Sequence, residues 1–224
     1  MKRRLIMFCL LGILVVCGFS EKVLSFELRP YLEIGAQIMN EPGDHGDRSN
    51  IGIGVEALFN KGDLDYWVNL GLWSTFEATD EKLSAPTGAK HLSFGGRYKL
   101  CQMDNGIAIS PFFTLGWETW QRNLNPGPEY INRFEDIEFL SAHMGARFQY
   151  DRFFLDLGAT YPFWNKTDRA NLDGKPGYAL FLGYKTKMAV FGIFGQNICF
   201  AGDENQPSFD FHRIGASMMF RIPF

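Results

Sequence analysis

Ser141 and His143 lie two residues apart, so on an extended element both side chains point the same way, and Glu118 from a neighbouring element would complete a serine, histidine and acid set for acyl transfer. Asp210 and His212 repeat that spacing with an acid and a base. Asp44, His45 and Asp47 place three potential cation ligands in one short stretch. A wider set of charges recurs at alternate positions: the acids Glu33, Glu56, Asp65, Glu118 and Asp156, and the bases Arg97, Lys99, Arg147, Lys185, Arg213 and Arg221. What chemistry these groups can do depends on the elements that carry them.

Those elements have a period of two rather than 3.6. From Tyr31 to Met39, Leu32, Ile34, Ala36 and Ile38 alternate with Glu33, Gly35 and Gln37. Ile51, Ile53, Val55, Ala57 and Phe59 then oppose Gly52, Gly54 and Glu56, and Asn60-Lys61-Gly62-Asp63 makes a tight turn. A third run sets Tyr66, Val68, Leu70 and Leu72 against Asp65, Asn69, Gly71 and Thr75, with Trp67 and Trp73 on the polar face. A fourth sets Leu92, Phe94 and Tyr98 against His91, Ser93, Gly95, Arg97 and Lys99. The scheme repeats through Ile107–Glu118, Leu140–Tyr150 and Leu155–Tyr161, less cleanly through Tyr178–Lys185 and Ala189–Phe200, and again in Phe209–Phe224. The connections alternate long and short, and every proposed strand carries a glycine on its polar face, among them Gly35, Gly71, Gly116, Gly145 and Gly183. Glycine normally weakens a strand and needs a reason there; relief of crowding inside a narrow closed sheet supplies one.

The start of the chain has the layout of an export signal. Lys2, Arg3 and Arg4 precede a run from Leu5 to Val16 that is too short to span a bilayer as a helix, and Gly18 and Ser20 allow cleavage before Glu21. Residues 1–20 are therefore expected to be removed, leaving 21–224 as one domain. Losing those three cations takes the formal charge from −3 to −6, with no basic cluster left, which argues against nucleic acid as a partner. No later apolar stretch is long enough for a membrane helix, so a membrane-spanning mature chain must be a closed sheet. The abundance of aromatics, 22 Phe, 8 Tyr and 5 Trp, with 24 Gly, suits interfacial girdles and closely packed strands.

At the end of the chain Ile214, Ala216, Met218, Phe220, Ile222 and Phe224 form an alternating apolar face that finishes on a terminal phenylalanine. This ending, with the signal layout and the strand pattern, resembles the closing strand of small Gram-negative outer-membrane β-barrel proteins. The resemblance implies an integral outer-membrane location, an up-and-down antiparallel transmembrane β-barrel of about ten strands, with eight or twelve as the neighbouring even counts, and reading of Phe220, Ile222 and Phe224 by the barrel assembly machinery. It implies outer-membrane lipid and lipopolysaccharide as partners, with an extracellular ligand at the loops left open. It names no activity. The omptin proteases also carry an Asp-x-His pair, but they need a pair of acids across the same external mouth, and the Asp63-x-Asp65 pair here falls at a turn on the opposite side. Lipid A deacylases direct their residues towards lipid, whereas Ser141 and His143 point inward, so a hydrogen-bonded polar lumen is the preferred reading of that pair. Cys101 and Cys199 belong at opposite ends of the barrel, too far apart to be bridged.

Glu33, Glu56, Arg97, Glu118, His143, Arg147, Asp156 and Arg213 are thus expected to form a lumen network. The lumen of so narrow a barrel is just about filled by its own side chains, so the charges should pair into a plug rather than an ion path. The leading function is a structural or surface-interaction barrel without a cofactor; a narrow solute channel is the alternative, and a lipid-active or proteolytic enzyme a further one.

Overall fold

A computed structural model describes residues 25–40, 47–77, 87–123, 134–167, 172–201 and 209–224. Ten long strands follow one another: β1 (Ser25–Asn40), β2 (Asp47–Lys61), β3 (Leu64–Glu77), β4 (Thr87–Tyr98), β5 (Ile107–Asn123), β6 (Phe134–Tyr150), β7 (Phe153–Thr167), β8 (Gly177–Lys185), β9 (Ala189–Ala201) and β10 (Phe209–Phe220). Each pairs antiparallel with its sequence neighbours, and β1 pairs β10, which closes the sheet into a barrel. Short pieces extend three edges: Cys101–Gln102 against β5, Asp173–Lys175 against β9, and Ile222–Pro223 against β1.

The register fixes the barrel's shape. Stepping across partners from Ser25 leads through Asn60, Asp65, Arg97, Phe112, Gly145, Gly158, Ala179, Gln196 and Arg213 back to β1 at Gln37. One circuit therefore climbs 12 residues along β1 (37 − 25). With ordinary strand spacing and rise, that stagger over ten strands requires a tilt of about 40° and a backbone radius of roughly 10 Å. Every residue on this path faces inward, so the period-two pattern and the register agree strand by strand.

Four connections lie at one end of the barrel, three of them of two or three residues. Gly62 (φ 63°) and Asp63 join β2 to β3, and Asp151 (φ 50°) and Arg152 join β6 to β7; such two-residue loops need positive φ to match the strand twist. Residues 99–106 join β4 to β5 and 186–188 join β8 to β9. The described ends of β1 and β10 lie at this short-turn end, and the other five connections lie at the opposite one.

Several strands run past the limits expected from alternation. β1 begins at Ser25 and brings Glu27 and Arg29 into the lumen; β6 begins at Phe134 and β7 continues to Thr167. The extensions of β6 and β7 lie at the long-loop end, where the outward face turns polar, as at Glu138 and Lys166, so the two faces no longer differ in hydropathy. A bulge between Leu140 and Ser141 marks this region: Ser141 pairs with Pro162 and Leu140 with Trp164, leaving Phe163 as the extra residue.

Inward glycines make room for large neighbours rather than for backbone freedom. A Cβ on Gly52 would lie 2.0 Å from the Trp73 ring, on Gly183 2.2 Å from Phe154, and on Gly192 2.3 Å from Phe181. Each is a strand position traded for an aromatic side chain on the adjacent strand.

Candidate functional site: the barrel lumen

The lumen has two different halves. At the short-turn end it is a walled cavity of about 380 Å³, ringed by ion pairs. Glu27 accepts from Arg29 at 2.5 Å and from Arg221 at 2.7 and 2.8 Å, while Arg29 also reaches Glu56 at 2.9 Å. Arg147 and Asp156, directly paired on β6 and β7, form two parallel hydrogen bonds at 2.6 and 2.5 Å, the fork geometry that suits guanidinium and carboxylate. The Arg147 guanidinium also stacks 3.9 Å from the Phe154 ring centre. Arg97 pairs with Asp65 from the neighbouring strand.

Near mid-height the groups become partly uncharged. The Tyr31 hydroxyl donates to Asn69 at 2.9 Å. Trp73 Nε1 donates to Glu33 at 2.7 Å, and Arg213 lies 3.5 Å from the same carboxylate. The Arg213 guanidinium is clasped by aromatic faces, 4.5 Å from Trp73, 5.2 Å from Trp120 and 5.4 Å from Phe194, a geometry that favours a cation beyond its ion pair.

Towards the long loops the inward face becomes apolar. Trp73, Ala89, Trp120, Ile137, Phe139, Ile198, Phe200 and Phe211 pack as one buried cluster, with Leu172 reaching in from the segment before β8. Phe139 and Phe200 are 0% exposed. A chain of ring contacts crosses the barrel: Trp73 to Trp120 at 6.1 Å, Trp120 to Phe211 at 5.8 Å, Phe211 to Phe200 at 6.4 Å and Phe200 to Phe139 at 5.6 Å. Trp120 on β5 and Phe211 on β10 stand directly opposite each other in the ring of ten strands. Their contact spans the full diameter.

All eight residues singled out from sequence, Glu33, Glu56, Arg97, Glu118, His143, Arg147, Asp156 and Arg213, line the same cavity. Lys99 leaves the inward set, being exposed in the turn after β4. The closure differs from the expected plug of salt bridges: charges ring the open half, and aromatic and aliphatic side chains shut the other. Glu118 does not join Ser141 and His143. It accepts from Trp120 Nε1 at 2.9 Å and faces His91, its cross-strand partner, with 3.5 Å from Oε1 to His91 Nδ1. The other nitrogen of His91 lies 2.9 Å from Ser93 Oγ. His143 packs edge-on against Phe112 at 4.9 Å, and its Nε2 has no hydrogen-bond partner among the described residues. The His91-x-Ser93 spacing was present in the sequence, but its relation to Glu118 exists only through the β4–β5 register.

Asp210 and His212 flank inward Phe211 near the long-loop end, while Asp65 is held by Arg97 at the other end, so the two pairs do not meet. Cys101 and Cys199 are both free. Residues 1–20 and the pair Asp44 and His45 lie outside the described residues.

No family model matches the sequence, and no curated protein matches it. Among solved structures, the chain is similar to the outer membrane protease OmpT from Escherichia coli, at 9% identity and TM-score 0.48, covering 91% of this chain and 98% of that one. It is also similar to the translocator domain of the autotransporter NalP from Neisseria meningitidis (10%, TM-score 0.46, covering 98% and 96%) and to the transport unit of the autotransporter AIDA-I from E. coli (10%, TM-score 0.45, covering 97% and 97%). The closed ten-strand barrel stands on its own hydrogen-bond register.

Proposed function

We propose that this chain is an integral outer-membrane barrel whose lumen is sealed at its outward end, serving envelope packing or loop-mediated contact with lipopolysaccharide or an extracellular partner. The contact of Trp120 with Phe211 across the full diameter carries this reading, because side chains that meet there, beside wholly buried Phe139 and Phe200, obstruct a water path along the lumen. The outer surface supports the membrane setting. Leu32, Ile34, Ile53, Leu70, Leu72, Met144, Leu157, Leu182, Ile193 and Ile214 form a band around the barrel, with Ile53 58% and Ile214 61% exposed. So large a contiguous apolar surface is stable only against another apolar phase. Aromatic residues flank the band. Phe26, Phe59 and Phe224 sit together at the short-turn rim, with ring centres 5.1 and 5.5 Å apart, and exposed Tyr161 and Phe163 lie towards the long loops. Such girdles mark the two interfaces of a transmembrane barrel.

In this reading the short-turn end faces the periplasm and the long loops face out. Phe220, Ile222 and Phe224, exposed on the outer wall of the closing strand, are the residues assigned to recognition by the assembly machinery. Single cysteines provide the test, introduced in a background in which Cys101 and Cys199 are serine. A membrane-impermeant maleimide applied to intact cells should label a cysteine at Lys166 and spare one at Gly62; the reverse pattern would overturn the orientation, and equal labelling would overturn the membrane barrier.

A further inference from the structure

We propose that Ser93 is a nucleophile, activated by His91 and Glu118, that takes the acyl group of a small carboxylic ester entering the cavity from the short-turn end. This goes beyond the sealed-barrel reading and does not depend on it, since the cavity lies on one side of the apolar closure.

The three side chains stand in the order that acyl transfer requires. His91 and Ser93 share the inward face of β4, and His91 Nε2 lies 2.9 Å from Ser93 Oγ, within reach of the hydroxyl proton. Glu118 stands at the opposite nitrogen, 3.5 Å from Nδ1. A carboxylate there favours the tautomer with its proton on Nδ1, which leaves Nε2 free to accept. That separation is longer than a made hydrogen bond, as resting catalytic contacts often are before substrate binds. The ring and the acid are each held from a second direction. Trp73 packs edge-on against His91 at 5.3 Å, and Trp120 Nε1 donates to the other oxygen of Glu118 at 2.9 Å.

Space lies beside the relay, and polar groups that could meet a substrate line the same cavity. Gly116 pairs with both Ser93 and Ser141, and a Cβ there would lie 3.3 Å from Ser141 Oγ and 3.8 Å from both Ser93 Cβ and His91 Cε1. The missing side chain leaves a recess where the three meet. The same cavity is lined by Thr160, 1% exposed, and by His143, and neither the Thr160 hydroxyl nor His143 Nε2 has a hydrogen-bond partner among the described residues. A buried hydroxyl left without a partner is costly unless something else fills that role, and a substrate oxygen would. The cavity volume of about 380 Å³ suits a small ester and excludes a whole lipid.

In the reaction Ser93 Oγ forms a bond to the carbonyl carbon while its proton passes to His91 Nε2. The carbon–alkoxide bond breaks, and the leaving alkoxide takes that proton as the alcohol. Water then attacks the acyl-serine by the same route, giving the acid and restoring Ser93. Glu118 is a positioning residue acting through His91.

The test uses the purified, folded full-length mature chain in detergent micelles, treated with phenylmethylsulfonyl fluoride and analysed by peptide mass spectrometry. Ser93 Oγ should bond to sulfur with loss of fluoride and the hydroxyl proton, giving an adduct at Ser93 and none at Ser110, another buried lumenal serine. Hydrolysis of p-nitrophenyl acetate should fall to the buffer rate in Ser93→Ala. Labelling of Ser93 should slow at least about tenfold in His91→Gln, since general-base assistance is commonly worth ~10²–10⁴. A smaller slowing in Glu118→Gln, with native heat-modifiable migration retained, identifies positioning. No adduct at Ser93 in the unmutated barrel, equal labelling of Ser93 and Ser110, or an undiminished rate in folded His91→Gln would overturn the proposal; the first two outcomes need no variant to fold.

Discussion

The two halves of the lumen solve the same problem by opposite means. In the half towards the short turns, inward positions carry Glu27, Arg29, Glu56, Asp65, Arg97, Arg147, Asp156 and Arg221, which hold one another in ion pairs around an open cavity. In the half towards the long loops, inward Trp120, Ile137, Phe139, Ile198, Phe200 and Phe211 pack together and are almost wholly buried. A ring of paired charges cannot shut a barrel of this radius, because each pair is satisfied along the wall between neighbouring strands. Aromatic side chains need no partner and can extend until they meet the opposite wall. The charges therefore shape a vestibule, and the rings close it.

Substitutions in each half separate these roles. The largest effect is expected for Phe211→Ala, which removes a ring that touches both Trp120 and Phe200. Loss of a buried phenylalanine should cost ~3–5 kcal/mol, read as a lower urea midpoint for unfolding in micelles, and should also raise single-channel conductance. Arg147→Ala comes next. It strands Asp156 in a partly buried site and removes the stacking on Phe154, for a cost on the order of 3 kcal/mol, but it should leave the membrane barrier intact, because Arg147 lies on the cavity side of the closure. Conductance rising as much in Arg147→Ala as in Phe211→Ala would erase the distinction between the halves. Lys166→Ala, at an exposed position on the outer face, should change stability by no more than about 0.5 kcal/mol and leave conductance unchanged.

Much of the barrel was legible because its wall separates two environments at every strand. Alternation such as Leu32, Ile34 and Ala36 against Glu33, Gly35 and Gln37 gives both the element and its inward face, and the glycines opposite Trp73, Phe154 and Phe181 announce a crowded interior. The apolar closure was not legible, since Phe139, Phe200 and Phe211 look like any outward-facing residue until the register assigns their direction. In this half the inward face is apolar and the outward face carries Glu138 and Lys166, the inverse of the pattern lower down. The relay of Glu118, His91 and Ser93 was missed for a related reason: spacing along one strand is visible in the sequence, but partners on adjacent strands depend on a register set by turns and loops. Ser141 and His143 have the same spacing, yet it is His91 that stands opposite Glu118.

Closure of the lumen by side chains from opposite walls can be read by planar-bilayer recording of the unmutated, refolded protein. The membrane should stay quiet, with no sustained current steps at either polarity. A large, steady, weakly selective conductance would contradict it, showing that Trp120 and Phe211 do not hold the barrel shut.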